Sequence, residues 1–78
     1  MRRKELRVIL TFPSTTDAMA MESYAMEHGV PGRLIPVPTA ISAGCGMCWS
    51  APVIAKVQVE AAAEAAALRT EGIYELVI

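Results

Sequence analysis

The sequence has little charge: Asp, Glu, Lys and Arg make up 19% of its 78 residues, and the formal net charge is −1. So even a balance produces no field for drawing in nucleic acid, and Arg2-Arg3-Lys4 is too short a basic run to change that. No stretch approaches the ~20 consecutive apolar residues of a membrane span. The apolar run after the basic N-terminus is broken by Arg7 and ends at Pro13, which does not fit a secretory leader. The reading is a cytoplasmic protein with no nucleic-acid and no membrane partner. No glycine-rich phosphate loop of the required pattern is present, so no nucleotide or organic cofactor is expected. There is one histidine, and there are only two cysteines, Cys45 and Cys48. In a compartment that keeps thiols reduced, two cysteines this close are more often reactive or metal-binding than a structural staple.

What the sequence has in plenty is apolar surface, at 54% hydrophobic residues. The chain is read as one domain, 1–78, near the lower limit at which a core holds without staples. Some of that surface is expected to stay uncovered in a monomer, which points to a homo-oligomer.

Taken in order, Leu6 to Phe12 alternates Val8, Leu10 and Phe12 with Ile9 and Thr11, a β-branched pattern that predicts a central first strand. Pro13 stops it. Ser14-Thr15-Thr16-Asp17 supplies candidate N-caps, and a helix follows to about His28 with Ala18, Met21, Tyr24 and Ala25 inward, closed by Gly29. Val30-Pro31-Gly32 is a turn. Arg33 to Val37 is a short second strand, placed at an edge by Pro36. Pro38 to Gly44 is a loop, Gly46 to Ser50 a third strand, and Pro52 the first position of a helix reaching Arg69. On that helix Ile54, Val57, Ala61, Ala65 and Leu68 form the expected inner stripe, with Lys56, Glu60 and Glu64 elsewhere. Ile73 to Ile78 is the last strand.

The order βαββαβ is that of an α+β, ferredoxin-like sandwich, an antiparallel sheet with two helices on one face. Right-handed crossovers then place Ser14 to Thr16, Pro38 to Cys45 and Glu71-Gly72 at one end of the sheet. The first helix would direct its amide donors and partial positive charge to that end, a setting that favours thiolate over thiol. Ile9, Thr11 and alternate residues of the last strand would lie on the uncovered face, the basis for expecting self-association.

The stretch from Thr39 to Trp49 is where chemistry is expected. Gly44 and Gly46 flank Cys45, so the backbone there is permissive and a partner can come close to the sulfur. Together with Thr11-Phe12, Ser14 to Ala18 and Pro31 to Pro38, the segment Ile41-Ser42-Ala43-Gly44-Cys45-Gly46 resembles the selenium/sulfur carrier protein-like family, from about Val8 to the end of the chain. The resemblance implies that Cys45 carries sulfur or selenium. Cys48 stands where the family pattern expects an apolar residue.

Four classes of function follow. In the first, Cys45 accepts sulfur or selenium, as a persulfide or selenosulfide, from a donor protein such as a cysteine desulfurase, and passes it on. The second is a dithiol redox protein using Cys45 and Cys48, against which stands the distance of Cys48 from any helix start. The third is a thiolate metal site, which needs two chains to pool four sulfurs. The fourth is a ligand-binding or assembly module. Catalytic roles fall to Cys45 and Cys48, with Gly44, Gly46, Ser14, Thr15 and Thr16 as the binding loop. The plain alternatives are packing for Cys48 and Trp49 and capping for Ser14 to Thr16.

Overall fold

The computed structural model describes residues 4–41 and 46–78. Strand β1, Leu6–Thr11, lies between two antiparallel neighbours, and this is why both of its faces are apolar: Val8, Ile9, Leu10 and Thr11 are all buried. Helix α1 spans Thr15–His28. Ser14 caps it, accepting from the Asp17 amide at 3.3 Å, and Gly29 closes it in the left-handed conformation at φ 67. Strands β2, Arg33–Pro36, and β3, Met47–Pro52, form an antiparallel hairpin. A 3-10 turn, Val53–Ala55, leads into helix α2, Lys56–Ala65, and β4, Gly72–Val77, completes the sheet.

The strand order is β2-β3-β1-β4 with every pairing antiparallel. Each β-α-β unit is thus split by a strand of the other, the arrangement of a ferredoxin-like sandwich. Val8, Leu10, Phe12, Trp49 and Ala51 form one core with Ala18, Met21 and Ala25 of α1 and Val59, Ala62 and Ala63 of α2. The helices share this face. No helix among the described residues is long and apolar enough to cross a membrane.

The structure corrects the sequence reading at several points. Pro52 ends β3, pairing with Arg7, and does not start a helix. A strand end tolerates its missing N–H as well as a helix start does, and the β1 ladder continuing through Ala51 decides between them. Helix α2 also turns a different face inward: Val59, Ala62 and Ala63 are buried, whereas Ile54 is 91% and Val57 77% exposed. The intervening 3-10 turn advances the chain by a larger angle per residue than an α-helix, so the phase of the stripe is reset before Lys56. Lastly, the sheet face away from the helices is not bare. Ile9, Thr11 and Cys48 are fully buried there, with Ile41 folded onto Ile9 and Cys48 and flanked by Ile35, Val37, Leu76 and Ile78.

The end of α2 shows why it stops before Arg69. The Leu68 amide donates to Ala63 O and the Ala67 amide to Glu64 O, both at 3.0 Å, the two bonds of a Schellman ending. Ala67 therefore sits at φ 55, a left-handed position with a Cβ. Ala67→Gly is expected to raise stability by about 1 kcal/mol in chemical denaturation, because glycine removes that steric cost. A fall in the denaturation midpoint would contradict this account of the helix end.

Candidate functional site

The site is built from the sheet end at which β1 finishes. Thr11, its last residue, pairs with Cys48 on β3 on one side and with Gly72 on β4 on the other. The loop into β4 is tied down there: the Glu71 amide donates to Thr11 O at 2.8 Å, and the Thr11 hydroxyl donates to Gly72 O at 3.2 Å. The start of α1 follows within a few residues of Thr11, and the β2–β3 hairpin turns at the same end, closed by the Val37 amide donating to Gly46 O at 3.0 Å. The expected meeting of Ser14 to Thr16, the hairpin and Glu71-Gly72 at one sheet end therefore holds for the described residues.

Within it, the seven expected site residues fare differently. Cys45 and Gly44 lie outside the described residues. Gly46 is exposed at φ 79, with no atom of the described residues other than its chain neighbours within 4 Å of where a Cβ would be. Ser14 is occupied by its own helix, since besides accepting from Asp17 N its hydroxyl donates to Asp17 Oδ2 at 2.6 Å. Thr15 and Thr16 are exposed in the first turn of α1. Cys48 is buried on the sheet face opposite the helices, between Thr11 and Ile35 in register and under Ile41. His28 is at the far end of a 14-residue helix, about 20 Å away along its axis, stacked on Tyr24 at 3.9 Å.

One electrostatic device fixes the start of α1. Asp17 accepts from Ser14 and, at 3.4 Å, from the Arg69 guanidinium in the loop before β4. The Ser14 hydroxyl, helped by Arg69 and opposed by partial desolvation, holds the Asp17 carboxyl below its usual range. A carboxyl depressed in the folded state contributes stability that is fully present above its unfolded value, about 3.9, and lost as pH falls through the lower folded value. Thermal stability is thus expected to drop below about pH 4, and Asp17→Asn should flatten that part of the profile. An unchanged acid limb in Asp17→Asn would contradict this assignment.

Sequence reasoning missed a cleft of about 390 Å³ on the helix side of β4, floored by Leu10, Ala63, Leu68 and Ile73 and rimmed by Glu60, Glu64 and Glu71. The spacing of Glu60 and Glu64 along one helix was visible, but the cleft appears only once α2 takes its observed phase. Arg7 was also missed. Its guanidinium bonds Ser50 Oγ at 2.7 Å and Ser50 O at 3.3 Å, and pairs with Glu5, at the other end of the sheet from the hairpin.

Two split β-α-β halves, with the β2–β3 hairpin and the start of the first helix at one sheet end, define a small α+β protein. The chain belongs to the family described as Putative Se/S carrier protein-like, whose model matches residues 7–75. No curated protein and no solved structure matches the chain.

Proposed function

We propose that this protein carries sulfur or selenium on Cys45. The Cys45 thiolate attacks the outer sulfur of a persulfide on a donor protein such as a cysteine desulfurase. The donor's inner sulfur leaves as thiolate, and Cys45 becomes a persulfide, with no net oxidation. Selenium loads by the same displacement and gives a selenosulfide. An acceptor nucleophile then attacks the outer atom, and the Cys45 thiolate leaves. One exposed thiol suffices for both steps, in a compartment that keeps thiols reduced, such as the cytoplasm.

The observation that carries this reading is the family match taken together with the burial of Cys48. Cys48 is wholly buried beneath Ile41, so the thiol a donor protein reaches falls to Cys45. Cys48 also sits within a strand, eight residues before α2 begins; a helix N-terminus that would lower its pKa, as in dithiol redox motifs, is absent there. The test is intact mass of protein purified without reductant. Adducts of one or more sulfur or selenium atoms per chain, removed by thiol reductant, are expected. A loss of two hydrogens with no adduct would favour the dithiol reading.

A further inference from the structure

The sheet has two outer edges, and the structure treats them differently. Residues 35 and 37 direct their backbone groups to β3, since the Val37 amide donates to Gly46 O and pairing alternates along the ladder. The even-numbered residues of β2, Leu34 and Pro36, therefore face outward, and Pro36 has no N–H to offer. Pro31 and Pro38 flank the strand, and exposed Arg33 opens it. That edge is blunted against pairing.

β4 is the reverse case. Glu5 and Ile78 exchange both backbone bonds, at 3.2 and 3.0 Å, so by alternation Leu76, Tyr74 and Gly72 bond to β1. Ile73, Glu75 and Val77 then direct N–H and C=O away from the sheet. The strand has no proline, and its apolar side chains are unusually open: Val77 is 61%, Tyr74 40% and Ile73 37% exposed. An unblunted edge of this length is a template for another strand.

We propose that the occupant is β4 of a second copy of this chain, paired antiparallel about a two-fold axis at Tyr74, so that two sheets join into one of eight strands. The two copies must present residues of the same face opposite each other, which leaves two central registers. Centring on Glu75 sets like charges directly opposite, an unfavourable pair. Centring on Tyr74 pairs Ile73 with Glu75 of the second copy through outward-facing backbone groups, sets Tyr74 against its own symmetry mate, and brings Ile73 diagonal to Val77 of the second copy. The outward donors of Ile73 and Glu75 are then used. Because the paired strands run oppositely, the two β2–β3 hairpins lie at opposite ends of the joined sheet. The assembly is independent of the thiol chemistry.

Sedimentation at high micromolar protein tests it. Wild type should give twice the 8.3 kDa chain mass. Glu75→Pro, which removes an outward N–H and leaves the β1 ladder intact, should be monomeric. Glu75→Gln, which keeps that N–H but loses the Lys56 ion pair, should remain dimeric. Ile54→Glu, in the exposed 3-10 turn before α2, should also remain dimeric. Should Glu75→Pro fail to fold, amide exchange on wild type decides: Ile73 and Glu75 should be protected to the same degree as Tyr74 and Leu76. A wild-type monomer, rapid exchange at Ile73 and Glu75, a dimeric Glu75→Pro, or a dimer broken by Ile54→Glu would each overturn the proposal.

Discussion

Gly32→Ala is expected to destabilise the fold by about 3 to 5 kcal/mol, the combined cost of a forbidden backbone angle and an overpacked contact. Gly32 sits at φ 118, beyond the left-handed region that alanine can enter. A Cβ there would lie 2.5 Å from Ser50 O and 2.5 Å from Trp49 Nε1. Neither neighbour can yield easily. Ser50 O is held in strand β3 and accepts from Arg7, while the Trp49 indole donates to Pro31 O at 3.0 Å and is packed in the core at 3% exposure. The absence of a side chain at Gly32 thus lets the turn before β2 lie flat on β3 and receive the indole N–H. The sequence holds one tryptophan, so its fluorescence reports this site directly. Thermal melts should show a midpoint lowered by more than about 10 °C; a shift within about 3 °C would mean that the turn tolerates a side chain.

The second large effect separates the two cysteines. Cys45→Ser is expected to abolish loading, whereas Cys48→Ser should load as wild type does. The asymmetry follows from access. A buried thiol reacts only through local opening, so its rate falls by the population of the open form. Cys48 meets this condition among Ile9, Ile35 and Ile41. Its replacement by serine places a hydroxyl in that cluster at a cost of about 1 to 2 kcal/mol. Cys48→Ala, which avoids that cost, separates a loss of fold from a loss of chemistry. Release is where Cys48 is expected to act. Cys48→Ser is expected mainly to slow reductive or exchange release.

Much of the fold was legible because local signals agreed with one another. The alternation of Val8 to Phe12, the Gly29 cap and the proline on the β2 edge each had one reading, and the structure keeps all of them; among the candidate N-caps it selects Ser14. The second half of the chain was harder because it is rich in alanine. From Ile54 onward there are two apolar stripes, one through Ile54, Val57 and Ala61 and one through Val59, Ala62 and Ala63. Hydrophobicity favours the first, but the larger side chains do not decide. Small residues at 62 and 63 let α2 come close to the sheet, and the 3-10 turn sets that face inward. Ala67 ends the helix in a conformation usually marked by glycine, so its stop had no visible signal. At the site, the burial of Cys48 followed from its place in a strand beside Trp49. The cover supplied by Ile41 was not visible, since it comes from a loop crossing the face that strand alternation marks as open.

Loading from a cysteine desulfurase tests the carrier role most directly. Wild type, Cys45→Ser, Cys48→Ser and Cys48→Ala are each incubated with the desulfurase and cysteine, and sulfane-sulfur adducts are counted by intact mass. Adducts on wild type and both Cys48 variants, with none on Cys45→Ser, are predicted. Adducts retained on Cys45→Ser would contradict the assignment of the cargo to Cys45.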